Sequence, residues 1–207
     1  MNYSLTWADA ELVVVVKPAG LLSVPGRGPD KQDCLWHRVQ ADFPTARIVH
    51  RLDCATSGLM VLALNAASHR ELSRQFQMRE TRKRYQALVA GRPTENSGVM
   101  DWPLRCHWER RPLQIVDPVE GKSARTEWWL LETDGIQSRI QLHPITGRSH
   151  QLRVHLHTLG HPILGDNFYA PPEIIARAPR LMLHAEQLGL QHPVSGEALD
   201  FEAPVPF

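Results

Sequence analysis

The segment His50-Arg51-Leu52-Asp53-Cys54-Ala55-Thr56-Ser57-Gly58-Leu59 sets one carboxylate just behind a basic pair, with Leu52 between them, and ahead of a Thr-Ser-Gly turn. The apolar run 59–64 follows it. An aspartate beside an arginine, at the mouth of a buried strand, is held ionised by charge and hydrogen bonding while apolar neighbours limit water. That environment suits a nucleophile or a general base. The same Arg-x-Asp spacing also serves a salt-bridged turn that starts a strand.

A second chemistry-bearing feature is a basic cluster. Between Arg70 and Arg92 lie Arg70, Arg74, Arg79, Arg82, Lys83, Arg84 and Arg92, against only Glu71 and Glu80. The chain's net charge is +1, so this stretch is an island of positive charge in an otherwise acidic remainder. Basic residues are 19 Arg and 4 Lys, and the guanidinium fork suits phosphates and base edges. The clustering, more than the arginine ratio, points to nucleic acid. His150, His155, His157 and His161 cluster in sequence, but none forms H-E-x-x-H or stands at zinc-like spacing from a cysteine, so no metal is expected. Gly147-Arg148-Ser149 lacks the glycine spacing of a P-loop, which argues against a nucleotide triphosphate site.

These residues need elements to position them. The β-branched run 12–16 reads as a buried strand ended by Pro18-Ala19-Gly20. Residues 30–43 can hold a short helix stopped by Pro44, and 58–64 a second buried strand. Residues 66–80 are rich in helix formers, with Leu72 and Phe76 on one face and arginines on the other. Strands are expected at 84–90, 98–104, 113–117, 124–132, 138–142 and 181–190. Residues 147–160 read as a helix capped by Thr146, striped by Leu152, Leu156 and Leu159 and stopped by Gly160. Strands in runs with few helices between them argue for an α+β fold with a largely antiparallel sheet.

Composition agrees with one globular domain over 1–207. The 43% apolar and 22% charged content is ordinary, and no linker or repeat divides the chain. No apolar run approaches the roughly 20 residues of a membrane helix. Asp9 and Glu11, with no basic n-region, argue against a signal peptide. Cys34, Cys54 and Cys106 are odd in number and far apart, as in a reducing cytoplasm.

Read together, His50-Arg51-Leu52-Asp53 with Thr56-Ser57-Gly58 resembles the catalytic motif of the RluA family of RNA pseudouridine synthases. The segment from Lys17-Pro18-Ala19-Gly20 to Pro25-Gly26 is similar to that family's N-terminal strand-and-turn motif, and Lys83-Arg84-Tyr85 to its tyrosine motif. The run from Ile145-Thr146-Gly147-Arg148 to Arg153-Val154-His155 resembles its basic motif. His161-Pro162-Ile163-Leu164-Gly165-Asp166 and Leu183-His184-Ala185 complete the order, so the likeness spans nearly the whole chain.

The resemblance implies a pseudouridine synthase fold: a long mixed, mainly antiparallel sheet with flanking helices and a central RNA-binding cleft, without an appended N-terminal RNA-binding domain. It implies an isomerase in which Asp53 is the catalytic carboxylate, Arg153 its ion-pair partner and Tyr85 a ring against the target base. Arg51 is implied to enter the RNA where that base leaves, or else to pair with Asp53. Arg74, Arg79, Arg82, Lys83 and Arg148 are the candidate phosphate contacts, Arg148 aided by a helix N-terminus. His155 and His184 are expected to hydrogen-bond within the cleft. No cofactor is implied. The closest subgroup implies a cytoplasmic monomer acting on both large-subunit ribosomal RNA and the anticodon arm of certain tRNAs. The competing readings are a synthase for one RNA only, a non-catalytic RNA-binding module, and a glycosidase, which would need a second catalytic carboxyl.

Overall fold

The computed structural model describes residues 3–207. In chain order the elements are β1 (Ser4–Ala8), β2 (Leu12–Lys17), α1 (Leu35–Asp42), β3 (Arg47–Ile48), β4 (Ser57–Ala63) and α2 (Ala66–Met78). There follow β5 (Arg82–Ala90), β6 (Ser97–Met100), β7 (Leu104–Cys106), β8 (Gln114–Val116), β9 (Thr126–Thr133) and β10 (Gln137–Pro144). The last are α3 (Gln151–Thr158), α4 (Pro172–Ile175), β11 (Leu183–Gln191) and β12 (Ala198–Glu202). The chain divides into two units: residues 3–83 with 184–206, and Arg84–Leu183 with Phe207. The β4–β11 pair is parallel and the pairs β1–β2, β2–β4, β5–β10, β9–β10, β6–β9 and β11–β12 are antiparallel, which gives the expected α+β class. No helix among the described residues is long and apolar enough to cross a membrane.

In the first unit β2 lies between β1 and β4, with Val14 opposite Val61. Every residue of β4 is buried, as its unbroken apolar run requires of a strand covered on both faces. Alternate residues Leu12, Val14, Leu59, Val61 and Ala63 pack with Leu72 of α2, Leu188 and Leu190 of β11 and Phe201 of β12. Helix α2 starts where Asn65 accepts the Ser68 N–H at 2.9 Å and ends at Arg79, whose φ of 61° is left-handed. Leu72 faces inward and Arg70 and Arg74 outward, as expected.

The parallel contact of β4 with β11 sets Ser57 opposite His184 and Gly58 opposite Ala185. Gly58 has φ 122°, and a Cβ there would lie 2.3 Å from the Ala185 carbonyl oxygen. Only glycine fits. Gly58→Ala is therefore expected to cost at least ~3 kcal/mol, combining backbone strain with a backbone clash. That corresponds to a melting midpoint lowered by roughly 6–12 °C. An unchanged midpoint would show that this approach is not as close as described.

In the second unit β10 is central, pairing β5 on one side and β9 on the other, with β6 beyond β9. Burial alternates along β10, which turns Ser138, Ile140 and Leu142 inward. β7 and β8 form a separate two-stranded sheet. The expected strand 98–104 is broken: β6 stops at Met100, and Pro103, which has no N–H to donate to a ladder, precedes β7. The expected helix 147–160 is shorter. It starts at Gln151 behind His150, whose φ is 54°, and Thr146 is not its cap. Thr146 Oγ1 accepts the Arg125 N–H (2.8 Å) and donates to Gln151 Oε1 (2.7 Å), and that oxygen also accepts the Arg148 N–H (3.0 Å). The Gln151 amide thus holds residues 146–151 as a turn. β1 and β12, and the short β3 and α4, were outside the sequence expectations. The first strand is β1 rather than the strand at 12–16.

Candidate active site

Asp53 is half-buried in the loop that leads into β4. Its neighbours are clamped on both sides. Ser23 Oγ, itself buried, donates to the Leu52 carbonyl at 2.7 Å and accepts the Leu52 N–H at 3.1 Å. On the other side the Cys54 carbonyl accepts from Gly20 N–H (2.9 Å) and from Lys17 Nζ (3.0 Å). The fully buried Lys17 ammonium also donates to the carbonyls of Pro18 (2.9 Å) and Leu21 (2.7 Å). Burial lowers its pKa to about 8, against which the neighbouring Cys54 and Asp53 act. The Thr56 N–H donates to the Asp53 carbonyl at 3.1 Å and closes the turn. The carboxylate is thus carried on a backbone with little freedom, the arrangement a positioned reactive group needs.

His50 shapes the same loop. Its ring stacks on Phe76 at 4.4 Å, and its Nε2 accepts the Val61 N–H at 3.0 Å. Burial of the ring, with a contribution from the Lys83 charge, lowers its pKa to about 3. The imidazole is therefore neutral at ordinary pH, with its proton on Nδ1 because Nε2 is the acceptor. Ser57 Oγ is 2.9 Å from Nδ1 of buried His184, which ties the loop's far end to β11.

The basic candidates in this unit differ in their surroundings. Arg51 and Arg79 are exposed. Arg74 holds Glu71 and Glu80 at 2.8 and 2.7 Å, and Arg82 holds both oxygens of Asp200 at 2.9 and 2.7 Å. Such exposed pairs are worth at most about 1 kcal/mol, so a phosphate can compete for either arginine. Burial first, then repulsion from Arg79, lowers the Lys83 pKa to about 8.

In the second unit Tyr85 is half-buried on β5, opposite Leu142 of β10. Arg153 on α3 is 2% exposed and grips Asp166, 1% exposed, through two parallel bonds. Nε meets Oδ2 at 2.8 Å and Nη2 meets Oδ1 at 2.5 Å. Asp166 Oδ1 also accepts the N–H groups of Phe168 (3.0 Å) and Tyr169 (3.3 Å). The expected partner of Arg153 was Asp53. Within its own unit the guanidinium holds Asp166, a residue that the sequence marks by its motif without revealing its role. Arg148 is exposed, and its Nε donates to the Ser123 carbonyl at 3.0 Å; it precedes the turn at 150 rather than standing in the helix. His155 is fully buried, with Thr126 Oγ1 and the Trp102 carbonyl each 3.1 Å from its two ring nitrogens, and burial lowers its pKa. It is a core histidine.

The described residues therefore offer a constrained loop carboxylate in one unit, and a buried bidentate arginine and a strand tyrosine in the other. The sequence profile described as RNA pseudouridylate synthase matches residues 11–158. The chain is 52% identical over 204 residues to the Dual-specificity RNA pseudouridine synthase RluA of Escherichia coli (strain K12), covering 98% of this chain and 93% of that one. It is 53% identical over 202 residues to the protein of the same name from Yersinia pestis, covering 97% and 98%. Among solved structures it resembles Human RNA Pseudouridylate Synthase Domain Containing 1, with TM-score 0.83, 31% identity and coverage of 100% of this chain and 84% of that one. It also resembles Human RNA Pseudouridylate Synthase Domain Containing 4, with TM-score 0.80, 27% identity and coverage of 98% and 88%. The profile and these relatives agree in kind and in extent, and the chain belongs to the RNA pseudouridylate synthase family.

Proposed function

We propose that this protein isomerises uridine to pseudouridine in structured RNA, with Asp53 as nucleophile or base, Tyr85 against the target base, and Arg153 as a cation that serves the reaction. The reaction breaks the N1–C1′ bond, turns the uracil, and joins C5 to C1′. The C5 proton leaves and N1 gains one. Nothing is oxidised or reduced, so the chemistry needs a placed carboxylate and no cofactor. The observation that carries this reading is the double clamp on the Asp53 loop by Ser23 and Lys17, in a chain of this family.

The substrates are stem-loops of two RNA classes, large-subunit ribosomal RNA and the anticodon arm of certain tRNAs, bound by a cytoplasmic monomer. The dual-specificity relatives at 52% and 53% identity support this choice. Mapping pseudouridines in total RNA from cells with and without the gene tests it. Loss of sites in both RNA classes is expected, and loss from one class alone would favour a single-substrate enzyme.

RNA affinity should fall steeply with salt. Each of Arg74, Arg79, Arg82 and Lys83 that meets one phosphate contributes roughly 0.7–0.9 to the log–log slope. Because the Lys83 pKa is lowered to about 8, its ammonium is present below that pH and lost above it. Affinity is therefore expected to weaken as pH rises through about 8, and Lys83→Arg should remove that step. Unchanged salt dependence after neutralising all four residues would place the RNA elsewhere.

A further inference from the structure

The motif that supplies Asp166 continues into Phe168 and Tyr169, for which the proposed chemistry has no use. Phe168 is 41% exposed, although its main chain is anchored by the N–H bond to Asp166 Oδ1 at 3.0 Å. Its ring is bordered by buried and anchored groups. The Arg153 guanidinium carbon lies 4.9 Å from its centroid, and the His150 ring lies 5.5 Å away, inclined by 34°. The Tyr169 ring meets it edge-on at 6.4 Å and 89°.

These neighbours are themselves fixed. The Gln114 N–H donates to the Tyr169 hydroxyl at 2.9 Å, and that hydroxyl lies 2.6 Å from His150 Nδ1. The Tyr169 hydroxyl is thus held between Gln114 and His150. His150 holds a left-handed φ of 54°, which is uncommon for a non-glycine residue. A half-exposed aromatic ring supported in this way is a rigid platform, not a loosely packed surface residue.

We infer that Phe168 is a base-stacking residue, which receives the nucleobase of a nucleotide adjoining the target uridine. This rests on the reading that Arg153 serves the reaction centre, because Phe168 borders that guanidinium. Stacking is the mode suited to such a ring, since every base has a π-face and an aromatic platform accepts purines and pyrimidines alike. A flanking base that is held without being read also suits an enzyme that takes two RNA classes. The left-handed His150 and the Tyr169 hydroxyl act here as positioning residues for the ring.

The test uses the full-length protein and a stem-loop RNA carrying 2-aminopurine immediately 5′ or 3′ of the target uridine. In the wild-type protein one of the two probes should be quenched on binding. Phe168→Leu keeps an apolar group against Arg153 and should fold normally, as its melting midpoint will report. It should lose the quenching and bind RNA about 5- to 100-fold more weakly. Phe168→Trp should restore both. The proposal is overturned if neither probe responds in the wild type, if Phe168→Leu binds and quenches like the wild type, or if Phe168→Trp fails to rescue. A wild-type protein that forms no pseudouridine on the unlabelled stem-loop would instead defeat the underlying functional reading, so the two failures are distinct.

Discussion

Asp53→Asn is expected to abolish isomerisation, with single-turnover rates at least roughly a thousandfold down, or ~4 kcal/mol of barrier. The amide has the shape of the carboxylate but neither its negative charge nor its nucleophilicity. The loop should keep its conformation, because its clamps act on the main chain of Leu52 and Cys54 through Ser23 and Lys17, and none of those bonds uses the Asp53 side chain. Folding and RNA affinity should accordingly stay near those of the wild type. Rate measurement under saturating enzyme, beside a binding isotherm, separates the two effects. Residual turnover above a few per cent would remove Asp53 from the catalytic role.

The second large effect concerns the buried pair of α3. Arg153→Ala strands the Asp166 carboxylate at 1% exposure, and breaking such a pair typically costs ~3–5 kcal/mol. For a chain of this size that is a melting midpoint lowered by roughly 6–20 °C, together with loss of activity. The double variant Arg153→Met with Asp166→Asn distinguishes stability from chemistry. It removes both charges, keeps similar volumes, and leaves an oxygen to accept the Phe168 and Tyr169 N–H groups. Its midpoint should recover most of the loss while its activity stays absent. An active Arg153→Ala enzyme would show that this guanidinium is not part of the reaction centre, and an unchanged midpoint would show that the ion pair is not desolvated.

The parts of this fold that were legible in the sequence are those in which local pattern and burial agree. The runs of β2 and β4 are apolar because both strands are covered, and α2 shows Leu72 inward and its arginines outward, ending at Met78, two residues short of the expected span. The edge strands β1 and β12 were not legible. β1 is only five residues long and mostly exposed, so its brief Ser4-Leu5-Thr6-Trp7 alternation carries no buried apolar run to mark it. The start of α3 was misread because Thr146, a good capping residue type, is engaged by Gln151 and Arg125, contacts that local propensity cannot anticipate.

The site was legible as a set of motifs and less so as a set of contacts. Asp53, Tyr85 and Arg153 stand out by type and order, but the grip of Arg153 on Asp166, thirteen residues on, is a tertiary fact. Lys17 shows the limit most plainly. Lysine is among the residue types least often fully buried, yet here three carbonyls gather around its ammonium to fix the loop that carries the carboxylate.

The most direct test of the central claim is release of the uracil C5 hydrogen by the purified protein acting alone. Two minimal stem-loops, one from a tRNA anticodon arm and one from large-subunit ribosomal RNA, would carry tritium at C5 of their uridines. Forming the C5–C1′ bond must expel that label into water, one equivalent for each modified uridine. The predicted result is stoichiometric tritium release from both stem-loops by the wild-type protein and none by Asp53→Asn. Release from neither stem-loop, or release undiminished in Asp53→Asn, would contradict it.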